Sequence, residues 1–209
     1  MLRFVRFAGF LIALMLIGVP IANAHPHVWV TSTSELIYAP DGSVSGIRHA
    51  WTFDDMFSTY ALQGIETKTK GVYTREDLAP LAQVNVDSLK EFAYFTYAKA
   101  GAKKEKIGEP VDYFLEYKDS KLVLNFTLPL SVPAKTPELV LEIYDPSYFV
   151  NFALDKEPLK LVGAPANCKI AAQKSAEAPA QTMSEQNFLN GANANYGANF
   201  ANRLTVACQ

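Results

Sequence analysis

Alternating apolar and polar positions near the start of the chain predict a β-hairpin. The segment His27–Ile37 is rich in Val, Thr and Trp, and Val44–Phe53 alternates like a strand with one buried face. Between them, Ala39–Gly42 contains the turn-forming sequence Pro-Asp-Gly. We therefore predict an antiparallel pair of strands with its turn centre at Pro40–Asp41 or Asp41–Gly42.

A helical pattern follows the hairpin. Thr74 stands three residues before Asp77, the spacing of a capping box, and predicts the start of a helix that runs to about Glu91. A shorter helix is predicted over Met56–Ile65. The apolar residues expected on the inward face of the longer helix are Leu78, Leu81, Val84 and Leu89.

The rest of the chain predicts mostly strands. They are Phe92–Ala98, Val111–Tyr117, Leu122–Leu128, Leu139–Tyr144, Tyr148–Leu154, Leu159–Val162, Lys169–Ala172 and Arg203–Ala207. The aromatic residues Trp29, Trp51 and Phe92–Tyr97 are expected in the core. The fold class that follows is α+β: a predominantly antiparallel β-sheet, sandwich-like, with one main helix.

The first 24 residues predict a signal peptide. Arg3 and Arg6 precede the apolar run Phe7–Ile17, and the segment ends in the small-residue pattern Ala-Asn-Ala at residues 22–24. We therefore expect a periplasmic protein that begins at His25. Residues 25–209 are expected to form one β-rich domain, with two small subdomains (25–100 and 101–209) as the alternative and a mobile loop near 173–200.

Composition excludes several classes of protein. The chain has 209 residues, of which 49% are hydrophobic and 12% aromatic, which is enough apolar material for a folded core. Its formal net charge of −2 gives no electrostatic basis for binding nucleic acid. The chain also lacks a Gly-x-Ser-x-Gly nucleophile motif and a phosphate-binding glycine loop. We therefore expect a protein that is not an enzyme.

The two cysteines, Cys168 and Cys208, are expected to form a disulfide because export places them in an oxidising compartment. The bond would attach the C-terminal segment to the domain. The alternative is that the two thiols serve as soft metal ligands.

The histidines suggest metal binding at the start of the exported chain. His25 and His27 are two residues apart, so both imidazoles leave the same face of an extended strand. After cleavage, His25 would also offer its α-amino group as a ligand. Pro26 excludes the square-planar copper or nickel site that needs a second-residue amide, because proline has no N–H.

Carboxylates of the hairpin supply further candidate ligands. With the predicted turn, His27 faces the stretch Asp54–Met56, and Asp54 shares its face while Asp55 is adjacent. Two histidines and a carboxylate suit Zn²⁺, with Ni²⁺, Co²⁺ and Cu²⁺ as alternatives. Two simpler interpretations stay open: a solvated end at His25 and His27, and a helix cap at Asp54-Asp55.

Two more residues are outer candidates for the metal site. Asp145, at the turn before the aromatic pair Tyr148-Phe149, is the distant carboxylate candidate, although Asp145-Pro146 is also an ordinary turn sequence. His49 falls on the other face of the hairpin and is expected to be a core histidine unless a bulge shifts it. It shares that face with Val28, Val30, Trp51 and Phe53.

Several strings of residues resemble a known family. They are Ala24–Val30 (AHPHVWV), Trp51–Phe57 (WTFDDMF), Tyr144–Phe149 (YDPSYF) and Phe200–Cys208 (FANRLTVAC). They resemble the secreted domain-of-unknown-function proteins labelled as the periplasmic component of an uncharacterised ABC-type transport system. The resemblance implies a periplasmic protein that works beside a nickel/cobalt-type membrane transporter or an ABC permease and takes part in zinc acquisition.

Together, these observations predict a periplasmic accessory protein that binds a divalent ion, preferably Zn²⁺, for an inner-membrane metal transporter. Two alternatives remain. The first is a docking subunit of the transporter that binds no metal. The second is a copper-dependent oxidative enzyme with an N-terminal histidine site.

Overall fold

The computed structural model describes residues 26–175 and 195–208. The strands in this part are β1 Val28–Tyr38, β2 Val44–Phe53, β3 Thr96–Ala100, β4 Lys103–Lys104, β5 Val111–Lys118, β6 Lys121–Ala134, β7 Glu138–Ile143, β8 Val150–Val162, β9 Cys168–Gln173 and β10 Asn202–Cys208. The helices are α1 Asp55–Ala61 and α2 Arg75–Lys90, with 3₁₀ segments at Ala93–Phe95 and Tyr196–Phe200. The predicted signal peptide, His25 and most of the predicted mobile loop fall outside the described residues.

The predicted hairpin of β1 and β2 is confirmed, with its turn at the Pro-Asp-Gly sequence. The amide of Gly42 donates to the carbonyl of Ala39 at 2.9 Å, and Gly42 has a φ of +79°. The Oδ1 of Asp41 accepts hydrogen bonds from the amide and the hydroxyl of Ser43. These bonds explain why the pKa of Asp41 is lowered. Next to the turn Tyr38 pairs with Val44, and a shift of register between Tyr38 and Ile37 then leads to the pairing of Val30 with Phe53.

The strands form two five-stranded sheets. The order is β5-β6-β2-β1-β8 in the first sheet and β4-β3-β7-β10-β9 in the second. Each sheet takes strands from both sides of residue 100. All strand pairs are antiparallel except β1 and β8, which run parallel. The predicted α+β class with mainly antiparallel sheet is therefore confirmed.

One hydrophobic core joins the inner faces of both sheets and helix α2. Trp51 of β2 lies near its centre with only 1% of its surface exposed. Its ring packs edge-on against Phe126 and Phe152, each at 4.8 Å between centroids, and stacks on Phe95. Trp29, expected in the core, instead lies on the outer face and is 44% exposed. Strand parity explains this, because Val28 and Val30 already occupy the inner positions on either side of it.

Helix α2 begins where the sequence predicts. Thr74 and Asp77 form a complete capping box, each side chain accepting from the other's backbone amide. The inward residues differ in part from the prediction, since Ala82 and Val86 are buried with Leu78 whereas Val84 is 60% exposed. Neither described helix combines the length and apolar character needed to cross a bilayer.

Two strands are longer than predicted because prolines do not end them. Strand β8 continues through Pro158, which the fold tolerates because β8 lies at a sheet edge. Strand β6 continues through Pro129 and Pro133, where its pairing with β2 shifts register between Val44 and Gly46. The predicted strands Tyr148–Leu154 and Leu159–Val162 are therefore parts of one strand.

The predicted strand from Phe92 to Ala98 begins late, because Ala93, Tyr94 and Phe95 adopt left-handed φ values of 51°, 53° and 48°. A left-handed backbone costs roughly 1–2 kcal/mol per residue for side chains other than glycine. Several contacts hold the segment in place: the Thr96 hydroxyl donates to the Tyr94 carbonyl at 2.7 Å, and the Phe95 carbonyl accepts from the Tyr144 amide.

The predicted disulfide between Cys168 and Cys208 is present. The two residues are directly opposite in the β9–β10 ladder, so the bond fixes the edge of the second sheet.

At the other end of β10, the chain passes so close to the Asp145-Pro146 turn that only glycine fits at position 197. A Cβ there would lie 1.7 Å from the carbonyl oxygen of Asp145.

Candidate functional site

The outer face at the start of β1 carries the predicted metal-binding residues that the structure describes. His27 and Trp29 are both exposed there, as strand alternation predicts. Asp54 lies beside them, because its carboxylate Oδ2 accepts the Trp29 amide at 2.8 Å and its own amide donates to the Trp29 carbonyl. The Asp54 carboxylate thus lies next to Trp29, just beyond the end of the β1–β2 ladder at Val30 and Phe53.

Asp54 is also the N-cap of helix α1. Its Oδ1 accepts the Phe57 amide at 2.8 Å, so each carboxylate oxygen holds one backbone N–H. The expected helix-capping role is thus confirmed for this residue. Asp55 points elsewhere: its side chain is mostly exposed, and its Oδ1 lies 3.6 Å from the Nζ of Lys121.

His27 packs against the loop that contains Asp145. Its amide donates to the Phe149 carbonyl at 2.8 Å, and the two rings lie 4.7 Å apart. This proximity comes from the parallel pairing of β1 with β8, which begins at Val28 and Val150. The sequence offered no signal for that pairing, because the two strands lie more than a hundred residues apart.

Asp145 is buried within that loop and binds the loop's own donors. Its Oδ1 accepts the amide and the hydroxyl of Ser147, each at 2.8 Å, and its Oδ2 accepts the Val150 amide at 2.9 Å. Only 2% of the residue is exposed. The turn interpretation is therefore confirmed, and the carboxylate stabilises the loop that positions Phe149.

His49 is a fully buried core histidine, as its strand parity predicts. Its Nδ1 lies 2.9 Å from the hydroxyl of Ser34 on β1, and its Nε2 lies 3.2 Å from the hydroxyl of Thr96 on β3. The side chain thus connects the first sheet to the second. Burial lowers the pKa of His49 to about 3, so the ring is neutral at physiological pH.

The hydrogen-bond network determines the tautomer of His49. The Thr96 hydroxyl donates its only proton to the Tyr94 carbonyl, so it must accept from an Nε2–H. The Nδ1 atom then carries a lone pair and accepts the proton of Ser34. Both ring nitrogens are therefore occupied within the core, and His49 supports the strained segment at Ala93–Phe95.

Over residues 26–175 and 195–208, the structure contains no group of three His, Cys, Asp or Glu side chains that could hold a metal ion. Both cysteines are in the disulfide. His25, the other half of the predicted His-x-His pair, lies outside these residues.

An apolar cavity of about 570 Å³, which no sequence pattern indicated, lies on the inner side of the same hairpin. It lies between the first sheet and the two helices, and its walls include Trp51, Phe57, Leu81, Val84, Phe95 and Phe152. Apolar residues around a cavity have the same periodicity as apolar residues in a packed core, so the pattern could not distinguish them. The exposure of Val84 is explained by its place on this wall.

Comparisons with known proteins place the chain in a family. The family model described as "Protein of unknown function (DUF1007)" matches residues 10–208. The chain belongs to this family. It is also 30% identical over 88 residues to the "Uncharacterized 15.5 kDa protein in trpE 3'region" of Spirochaeta aurantia, a match that covers 41% of this chain and 62% of that protein. The chain thus matches less than two thirds of the length of that relative.

Proposed function

We propose that the protein is a periplasmic accessory protein that binds a divalent metal ion, preferably Zn²⁺, as cargo for an inner-membrane metal transporter. The proposed ligands are His25, His27 and Asp54. The observation that carries the proposal is the position of Asp54, whose carboxylate is bound to the β1 backbone two residues after His27 on the same exposed face.

The hydrogen bonds of Asp54 leave it able to bind a metal ion. An ionised carboxylate has about four lone-pair sites, and the amides of Trp29 and Phe57 use two of them. Donors of this kind orient a ligating carboxylate and restrict its rotation, which favours a defined coordination geometry. His27 precedes Trp29, whose amide binds Asp54, by two residues, which span roughly 7 Å in an extended strand, and the proposal places one ion between the side chains of His27 and Asp54.

The N-terminal segment would complete the coordination. Cleavage after Ala24 would leave His25 with a free α-amino group and an imidazole, both nitrogen donors suited to Zn²⁺. Imidazoles bind metal only when neutral, so uptake is expected to weaken in acidic solution, where protons compete with the ion for the ligands.

The other candidate ligands fit less well. His49 is buried and both its ring nitrogens are hydrogen-bonded, and Asp145 is buried and accepts three hydrogen bonds from its own loop. Asp55 faces Lys121, whose positive charge disfavours a nearby cation. The proposal therefore leaves these three residues out of the coordination sphere.

Calorimetric titration of the purified mature protein with Zn²⁺, Ni²⁺, Co²⁺ and Cu²⁺ tests the proposal. The double variant His25→Ala/His27→Ala should lose saturable uptake. Asp54→Asn should weaken Zn²⁺ binding by about 10–100-fold. Asp55→Asn is the matched control and should leave the affinity unchanged. Mass spectrometry of the mature N-terminus establishes whether His25 carries the free amine.

Unchanged binding in the double variant would contradict the proposed site. A protein that takes up none of the four ions would favour the docking-subunit alternative, for which the exposed edge strand β9 offers unpaired backbone groups. A Cu²⁺ complex with two or three nitrogen ligands in its paramagnetic resonance spectrum, together with oxidase turnover, would favour the copper enzyme.

A further inference from the structure

The apolar cavity behind the first hairpin has the size and composition of a small-molecule site. Its volume of about 570 Å³ lies within the range of ligand pockets, roughly 300–1,000 Å³. No Asp, Glu, Lys, Arg or His side chain is among its described lining residues. A charged ligand would find no counter-ion there, so the wall chemistry selects an uncharged molecule.

The polar side chains that helix α2 contributes to the cavity wall bond to carbonyl groups of their own helix. The Asn85 side-chain amide donates to the Leu81 carbonyl and the Ser88 hydroxyl donates to the Val84 carbonyl, each at 2.8 Å. These bonds reduce the polarity that the helix presents to the cavity. The wall therefore offers mainly hydrocarbon surface to a bound molecule.

One buried donor in the wall has no partner. Trp51 lines the cavity, and its indole N–H makes no hydrogen bond. The indole nitrogen is almost completely covered, so a ligand acceptor reaches it only after a small shift of the cavity wall. An unpaired buried donor is unfavourable, and native structures contain few of them. Since an indole N–H can only donate, the group that would satisfy it is a hydrogen-bond acceptor.

The adjoining wall is formed by strained backbone. Phe95 lines the cavity beside Trp51 and is the last of the three left-handed residues. Strained residues held by the surrounding structure are concentrated at ligand sites. Here His49 contacts the Thr96 hydroxyl, which in turn donates to the Tyr94 carbonyl of the strained segment.

We propose that this cavity binds an uncharged small molecule that combines a hydrocarbon body with a hydrogen-bond acceptor, which receives the indole N–H of Trp51. Phe149 lines the cavity and also packs against His27, but neither of the described metal-ligand candidates, His27 and Asp54, lines the cavity itself. Ligand binding should therefore persist when metal is removed.

A displacement assay tests this proposal. The uncharged dye phenylnaphthylamine, which becomes fluorescent in apolar surroundings, is titrated into the purified protein in the presence of a chelator. Four competitors share a body of similar size: butyrophenone, butylbenzene, phenylbutyrate and phenylbutylammonium. We expect saturable dye binding and displacement by butyrophenone at concentrations about tenfold below those of the two charged compounds.

Four variants, one of them a substitute for another, locate the site. Ala61→Phe, which fills the cavity from helix α1, should lower dye affinity at least about tenfold. Thr59→Phe, on the same helix but outside the cavity wall, should not. If Ala61→Phe fails to fold, Ser88→Phe at the exposed rim serves the same purpose. In the parent protein, butyrophenone should displace the dye at concentrations roughly fivefold below those of butylbenzene. Trp51→Phe should remove this difference.

The proposal is overturned if dye binding is not saturable, which includes the case of a cavity filled by another segment of the chain. It is also overturned if the cavity-filling and control variants bind dye equally, or if the charged competitors displace it as well as butyrophenone does. An unchanged preference for butyrophenone in Trp51→Phe would refute the role of the indole.

Discussion

The two faces of the β1–β2 hairpin each carry one described histidine, in opposite environments. On the outer face His27 is exposed beside Trp29 and Asp54. On the inner face His49 is fully buried, with both ring nitrogens hydrogen-bonded to neighbouring strands. The comparison shows that the strand register decides whether a histidine is buried in a hydrogen-bond network of the core or exposed on the outer face.

The largest contrast is expected when each histidine is removed. His49→Ala should lower the free energy of unfolding by about 3 kcal/mol, because it leaves a cavity, removes the partner of the buried Ser34 hydroxyl and takes one of the two hydrogen bonds from Thr96. His27→Ala should cost less, about 1 kcal/mol or below, because it removes contacts of an exposed ring such as the packing against Phe149. Denaturant titration of both variants measures the difference, and comparable losses would contradict the structural role given to His49.

The second contrast is in pH dependence. The pKa of His49 is about 3 in the folded protein and near 6.5 when unfolded. Between these values the unfolded state binds the additional proton, so stability falls as the pH is lowered, by about 1.4 kcal/mol per unit. Unfolding free energies at pH 7, 6 and 5 measure this slope. His49→Gln should flatten it, and an equal slope in that variant would assign the effect to other groups.

A smaller effect separates the two adjacent aspartates of the outer face. Asp54→Ala removes the N-cap of α1 and the bond to the Trp29 amide, and should cost about 1–2 kcal/mol. Asp55→Ala breaks only an exposed contact with Lys121 and should cost less than about 0.5 kcal/mol. Thermal unfolding of the two variants distinguishes them, and similar melting temperatures would argue against the anchoring of Asp54.

The smallest effect is expected at the ion pair between Arg48 and Glu35 on the outer face. Arg48→Gln should cost at most about 1 kcal/mol, since both side chains are partly exposed and solvent screens the pair. Raising the salt concentration should reduce the difference from the parent protein. A larger, salt-independent loss would show that this face contributes more to stability than its exposure suggests.

Short sequence patterns predicted the elements that depend on interactions between residues close together in the chain. The Pro-Asp-Gly turn set the register, and parity then assigned His27 and His49 to opposite faces, because successive side chains of a strand alternate. The Thr74–Asp77 spacing identified the start of α2, because a capping box depends on residues three apart. Strand parity also implied that Trp29 is exposed. We predicted a core position from its aromatic side chain, and this core prediction was wrong.

Features that depend on distant parts of the chain were not predictable. The parallel pairing of β1 with β8 brings Phe149 to His27, and no local signal marks two strands as partners across such a separation. The left-handed backbone at Ala93–Phe95 also has no sequence signature, since none of the three residues is glycine. It persists because Thr96, Tyr144 and the packed rings hold it.

By itself, the sequence determined the β-rich class, the first hairpin with its two faces, the helix cap and the pairing of the cysteines, because each depends on neighbouring residues or on composition. The tertiary structure alone decided the order of strands in the sheets, the burial of Asp145 and the space left between helices and sheet. These features arise from packing between segments distant in the chain, where many arrangements satisfy the same pattern of apolar and polar residues and only the complete set of contacts selects one.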